Sequence, residues 1–302
     1  MKSNGSRGLS VPGALALVGP GRVGTALAVL AERAGWRVGA VLIHSPGDRE
    51  RAERYLASCE ISDDPKALRG ADLVLVATPD DAIAPVVLRL AASGVFAPGQ
   101  RVVHTSGAAG RWVLSEAEAA GAATLAVHPV QTCPSVEAAV ERLAGAAYGV
   151  TCADSEWRFA RQFVSSLGGR AFRLSEQDRP IYHAALALTS NSLVTLAVQA
   201  GRMLAGCGVK RPFEVLAPLL SATVDNVRDL EDAALTGPVA RGDAGTISRH
   251  LEALAGTAPE VLPVYVELAK LTARRAAESG LLGADKAGEI VALLDDWSSR
   301  RG

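Results

Sequence analysis

The first half of the chain alternates short apolar runs with stretches whose apolar residues repeat at helical spacing. Ala14–Val18 is a compact apolar run ending at Gly19, and a helical pattern follows from Val23 to Ala34. Arg37–Ile43, Leu73–Ala77, Val102–Val103 and Thr124–Val127 are further buried-strand patterns, and Ala52–Ser58 fits a second helix. This rhythm of strand, turn and helix predicts a parallel sheet covered on both faces. Tyr148–Cys152 and Ala171–Leu174 extend the sheet around a helix near Glu156–Ser166.

After about Ser175 the strand rhythm stops. Tyr182–Gly206, Pro212–Ala233, Asp243–Ala255, Pro259–Ser279 and Ala284–Ser298 read as helices, with Pro218 expected to kink or split the second of them. The predicted organisation is an α/β domain over residues 13–174 followed by an all-helical domain over 175–302. Met1–Pro12 reads as a disordered leader.

Composition narrows the function classes. Of 302 residues, 49% are hydrophobic and 21% charged, so the chain can bury a substantial core. Lys plus Arg (31) nearly balances Asp plus Glu (32), and aromatics are only 4%. Neither nucleic acid nor an anionic membrane is expected as a partner, since both reward a basic excess. The longest apolar region, Ala184–Leu204, is interrupted by Asn191, Gln199 and Arg202, so no membrane span is expected. Four cysteines without Cys-x-x-Cys spacing give no metal cluster or disulfide framework, which fits the cytoplasm.

Gly19-Pro20-Gly21-Arg22-Val23-Gly24 follows the first strand and opens the first helix. In that context Gly-x-Gly-x-x-Gly is a dinucleotide fingerprint: one glycine for the tight turn, one for the pyrophosphate's approach, one for helix-on-strand packing. The expected domain is therefore of Rossmann type. About 25 residues beyond Gly19, where NAD-preferring sites place a carboxylate, the chain reads His44-Ser45-Pro46-Gly47-Asp48-Arg49. With no acid directly at the strand end, and with Ser45, Arg49 and Arg51 able to meet a 2′-phosphate, NADP(H) is expected over NAD(H). Thr78 and Pro79 end the next strand on the same edge, either as cofactor contacts or as a helix cap.

His104-Thr105-Ser106-Gly107 and His128-Pro129 also end predicted strands, the ligand edge of an open parallel sheet. A histidine there can donate a proton as hydride reaches a carbonyl or imine carbon, and Ser106 with the Gly107 backbone can bond a substrate oxygen. In the first helix of the second domain, His183 and Ser190 fall about 20° apart and Asn191 about 80° from His183. Arg241, in the loop Leu235–Asp243, is a candidate clamp for a substrate carboxylate, while Asp243 can cap the next helix.

Taken together, GPGRVG, HTSG, HP, YHAA at Tyr182–Ala185, SN at Ser190–Asn191 and LTGPVARGD at Leu235–Asp243 resemble a bacterial family that joins a Rossmann-like domain to a helical domain of unknown function 2520. That family resembles the superfamily of 6-phosphogluconate, β-hydroxyacid and prephenate dehydrogenases, pyrroline-5-carboxylate reductase and ketopantoate reductase. The kinship implies NAD(P)-dependent hydride transfer in an interdomain cleft and a homodimer through the helical domain. One departure stands out: if Asn191 matches the asparagine of β-hydroxyacid dehydrogenases, their catalytic lysine falls on Ala187. A histidine would have to replace it.

The resulting expectation is an NADPH-dependent oxidoreductase of a small carboxylated substrate, such as a keto acid. His104, Ser106, His128, His183 and Asn191 are its candidate catalytic residues, and Gly107 and Arg241 its substrate contacts. An imine reductase needing little acid catalysis and a non-catalytic dinucleotide-binding sensor or assembly protein are the alternatives.

Overall fold

The computed structural model describes residues 13–299, so the leader expected at Met1–Pro12 lies outside the described residues. The chain divides into two compact units, residues 1–190 and 191–302.

The first unit is built on an eight-stranded sheet. Its strands are β1 (Ala14–Val18), β2 (Arg37–Leu42), β3 (Glu60–Ser62), β4 (Leu73–Val76), β5 (Arg101–His104), β6 (Ala123–Pro129), β7 (Ala147–Cys152) and β8 (Arg170–Arg173). They lie in the order β3-β2-β1-β4-β5-β6-β7-β8. The order reverses direction at β1, which places the first turn at the crevice where such sheets take ligands. All neighbouring pairs are parallel except β6 and β7, which run antiparallel from Leu125↔Cys152 to Pro129↔Tyr148. An apolar strand buried on both faces reads alike in either direction, so the hydrophobic pattern carries no trace of this reversal.

Strand β1 shows why the sheet is covered on both sides. Leu15 and Leu17 join one core, with α1 (Arg22–Arg33) and α5 (Val136–Leu143), while Ala16 and Val18 join the other, with α3 (Asp80–Ala92). Each such fully buried leucine contributes about 2 kcal/mol of transfer free energy. Helix α2 (Pro46–Tyr55) begins earlier than its apolar pattern suggests. Ser45 caps it, accepting from Asp48 N–H while the Asp48 carboxylate accepts from the backbone of Ser45, a reciprocal capping box. The remaining helices of this unit are α4 (Ser115–Ala119), α6 (Trp157–Ser166) and α7 (Arg179–Ala187). The unit extends past the expected boundary at 174 because side chains of α7, Arg179 and Tyr182 among them, bond to the sheet.

The second unit holds α8 (Leu193–Gly206), α9 (Pro212–Leu230), α10 (Ala244–Thr257), α11 (Leu262–Glu278) and α12 (Ala284–Ser299). Ile247, Leu251, Val266, Ala273, Ile290 and Leu294 form its core, from α10, α11 and α12. Helix α9 runs through Pro218 as one helix, so of the kink or split expected there the split does not occur. It buries none of its 19 residues, and α8 buries only Gly201. The helical run Arg179–Gly206, 28 residues within which an 18-residue window has mean hydropathy 1.4, is long and apolar enough to cross a membrane by length and composition. Its scattered polar residues therefore do not exclude it on that criterion, as the sequence reading had them do.

Candidate functional site

The glycine loop has the geometry its spacing predicts. Gly19 turns the chain at φ +78°, and a Cβ there would meet Thr78 Cγ2 at 2.8 Å. A Cβ on Gly24 would meet Gly19 O at 2.6 Å and Ala77 Cβ at 2.7 Å, so only glycine lets α1 approach the strands this closely. At Gly21 the nearest atom would be Ala77 O at 4.0 Å, leaving the space in front of the helix open. Gly21 caps α1 without a side chain, and no acid occupies the first turn. The free N–H groups and positive dipole end of α1 therefore face outward, as an anion requires.

Gly21, Arg22, Val23, Thr78 and Pro79 line a cleft of about 650 Å³. Thr78 Oγ1 is buried there without a hydrogen-bond partner among the described residues. That orphaned hydroxyl, the open space at Gly21 and the uncapped helix end fit a dinucleotide. Pro20 sits beneath, its carbonyl accepting from Arg51 Nη1 at 2.8 Å, and Arg22 Nη1 donates to Pro134 O.

At the end of β2 the details differ from a simple phosphate pocket. The Ser45 hydroxyl is engaged in capping α2, and Arg49 is exposed with its guanidinium 3.9 Å from Glu53. Arg51, rather than Arg49, lines the cleft. The Asp48 carboxylate accepts from His44 N–H and Ser45 N–H and stands 3.4 Å from Arg51.

The same cleft continues to Ser106, Gly107, His128 and His183. Its chemistry is set by how each ring is held. His104 does not line it. This ring is fully buried; Nδ1 accepts from Ser106 N–H at 3.2 Å, so Nε2 carries the proton and donates to Gly110 O at 3.0 Å. Burial and the nearby Arg179 cation hold its pKa down at about 3. With both nitrogens engaged, His104 staples the loop after β5 and is not the proton donor expected of it.

His128 is placed differently. Nδ1 lies 2.7 Å from Tyr182 Oη, and Nε2 has no hydrogen-bond partner among the described residues. Burial, then the adjacent His183 and Arg179, lower its pKa to about 4, while burial raises that of Tyr182 to about 12. The phenol is thus protonated and the imidazole neutral at pH 7. Where Tyr182 O–H donates to Nδ1, the imidazole proton sits on Nε2. His183 stacks edge-on to His128, ring centroids 6.1 Å apart. A Cβ on Gly107 would stand 2.6 Å from His183 Cδ2 and 2.9 Å from His128 Nε2, so glycine is what lets both rings close over this loop. Ser106 Oγ accepts from Ala109 N–H at 3.0 Å and keeps its own proton to donate.

Two structural residues escaped the sequence reading. Glu176 accepts from Arg111 N–H with both carboxylate oxygens at 3.0 Å, closing the far end of the loop. Arg179 lies fully buried beneath Ser106 and Gly107. Neither stands in a recognisable motif.

Asn191 and Arg241 belong to the second unit. Asn191 is exposed on a π turn, Leu188–Ser192, which inserts an extra residue and invalidates the α-helical angles expected between His183, Ser190 and Asn191. Arg241 Nη1 donates to Thr236 O, and Asp243 caps α10 through Thr246 N–H.

Comparison with known proteins agrees with this architecture. The description of a Rossmann-like domain matches residues 8–129, and that of a domain of unknown function (DUF2520) matches residues 146–272. No curated protein matches the chain. Among solved structures, a Bacteroides fragilis protein provisionally named an NADP oxidoreductase is 24% identical, with TM-score 0.71, covering 86% of this chain and 98% of its own. A Thermotoga maritima protein is also 24% identical, with TM-score 0.67, over 88% of this chain and 99% of its own. The imine reductase of Myxococcus stipitatus, solved with NADP+, is 14% identical with TM-score 0.59, over 95% of each chain. At such identities the likeness is one of fold. The protein joins an N-terminal Rossmann-like domain to a C-terminal domain of unknown function 2520.

Proposed function

We propose that the protein is an NADPH-dependent reductase of a small carboxylated carbonyl or imine substrate. The observation that carries this reading is a single cleft running from the uncapped N-terminus of α1 to Ser106, His128 and His183. The residues of the glycine loop and Thr78 would hold the cofactor, which supplies a hydride when bound. Arg51 supports the preference for a 2′-phosphate, because it lines the cleft and compensates Asp48.

In this reading Ser106 O–H and His128 Nε2–H donate hydrogen bonds to the substrate's oxygen or nitrogen and polarise the carbon beside it. Tyr182 fixes the tautomer that makes His128 a donor. A neutral imidazole is a weak acid, so a keto acid would need its proton from another donor in the cleft. An imine that arrives protonated needs none. The lowered pKa of His128 therefore favours the imine within this proposal. For the carboxylate, Arg241 is the expected partner; its one hydrogen bond to Thr236 O leaves further N–H groups for an anion.

A second copy of the chain is the partner best supported. The helical unit exposes Phe213, Leu219, Val224 and Val227 on α9 and holds an apolar cavity of about 1090 Å³ among α8, α10 and α11. Soluble monomers seldom leave so much apolar surface bare, and a two-fold pair could bury both features reciprocally. Four free cysteines are in keeping with the cytoplasm.

The test is NADPH oxidation, followed by absorbance, against panels of small keto acids and cyclic imines. Turnover of cyclic imines, with weak pH dependence near neutrality, supports the imine form; turnover of keto acids alone supports the other. Tight NADPH binding without turnover on either panel would replace both with a dinucleotide-binding sensor.

A further inference from the structure

Arg179 is fully buried, and none of the described carboxylates forms an ion pair with it. Its guanidinium spends every N–H on neutral oxygen. Nε donates to Thr151 Oγ1 at 2.9 Å; Nη1 donates to the carbonyls of Ser106 and Gly107 at 2.8 and 3.2 Å; Nη2 donates to those of Ala126 and Gly149 at 3.1 and 3.3 Å. Burying a cation without a counter-ion is costly, and only dense hydrogen bonding offsets it. What this cation grips is specific: the loop after β5 is tied to β6 and β7, at the antiparallel seam of the sheet. A planar fork can hold carbonyls on three segments at once, whereas a lysine ammonium cannot.

We propose that Arg179 is the positioning residue of the cleft: its buried fork fixes the Ser106–Gly107 loop against β6 and β7, and so sets where Ser106 and His128 stand. The same fixed charge faces both buried imidazoles. His104 is surrounded by Arg179, His128 and the Gly110 carbonyl, and His128 by Arg179, His183 and Tyr182. Glu176 and Tyr182 are the titratable groups acting on Arg179 itself, and the Glu176 carboxylate is already bonded to Arg111. Arg179 thus holds the floor of the cleft rigid, and its charge adds to the burial that keeps His104 and His128 neutral. Its effect on turnover rests on the proposed reductase reading; its placement of the loop does not.

The experiment uses cofactor-free, full-length protein labelled with nitrogen-15, so it needs no substrate. Backbone amides of Ser106 and Gly107 and the ring nitrogens of His128 are followed through a pH titration in wild type, Arg179→Lys, Arg179→Gln and Thr151→Val. Arg179→Lys keeps the charge and loses the fork, so the two amide resonances move while the His128 midpoint stays low. Arg179→Gln loses the charge as well, and the midpoint rises. Should the Gln variant not fold, Thr151→Val still removes one anchor and shifts the same amides. Unchanged amide resonances in both Arg179→Lys and Thr151→Val would overturn the proposal. If wild type later shows no reductase activity, these spectra still decide it; if it is active, Arg179→Lys should lower kcat about 10- to 100-fold.

Discussion

Tyr182 Oη lies 2.7 Å from His128 Nδ1, joining a phenol that stays protonated to an imidazole that stays neutral. Where the phenol is the donor of this pair, the imidazole proton of His128 stands on Nε2, beside Gly107. Removing the hydroxyl in Tyr182→Phe frees the tautomer while leaving the ring packing against Phe172 and His128. NADPH affinity should be unchanged, stability should fall by about 1 kcal/mol, and kcat should fall about 10- to 100-fold. Steady-state kinetics alongside a cofactor titration separates these effects.

Gly107→Ala makes a complementary prediction. The added methyl would crowd His183 Cδ2 at 2.6 Å and His128 Nε2 at 2.9 Å, so the rings must move. The glycine loop at Gly19–Gly24 is untouched. Cofactor binding should persist while turnover drops by about 100-fold, and calorimetric titration with NADPH would confirm that the binding half of the cleft survives.

These two predictions mark the border between what sequence carries and what it does not. The roles of Gly19, Gly21 and Gly24 were legible because a tight turn, an open approach and a close helix each demand glycine at a fixed offset. The start of α2 was legible too, in the Ser-x-x-Asp of Ser45 and Asp48 with proline at the first helical position, but the same residues also suit a phosphate, and that meaning was read first. His104 and His128 look equivalent in sequence, each closing a strand. They differ only through three-dimensional partners: a backbone N–H and a carbonyl for one, a tyrosine from a distant helix for the other. Arg179 was invisible because it binds carbonyls, and a carbonyl carries no residue identity. The π turn at Leu188–Ser192 likewise leaves the apolar pattern unbroken while changing which side chains share a face.

The two lowered histidines predict acid sensitivity. A folded-state pKa below the unfolded value of about 6.5 means the unfolded chain binds the proton first, so stability is full above that pH. It is lost as pH falls toward the folded values of about 4 for His128 and about 3 for His104. At pH 5 each contributes a loss of about 2 kcal/mol. Thermal unfolding should therefore show a clearly lower Tm at pH 5 than at pH 7.5. An equal or higher Tm at pH 5 would mean that the imidazoles are not held neutral.

Self-association through the helical unit predicts a dimer by light scattering. Leu219 is 62% exposed on α9, so Leu219→Asp should cost an isolated chain almost nothing. In a pair that buries α9 it places a charge in an apolar interface, and the molecular mass should fall to that of one chain. Retention of the dimer by the variant would move the interface elsewhere, and association of the wild type with detergent or lipid instead would reassign the apolar face to a membrane.

The most direct test of the whole account is thermal unfolding with saturating NADPH, with saturating NADH and without nucleotide. A ligand at about 100 times its Kd adds roughly 2.7 kcal/mol to the native state, which should raise Tm by roughly 5 °C in a chain of this size. The account predicts that rise with NADPH and a smaller one with NADH. No rise with either nucleotide would contradict it, because the glycine loop, the uncapped helix and the Thr78 hydroxyl would then have no dinucleotide to hold.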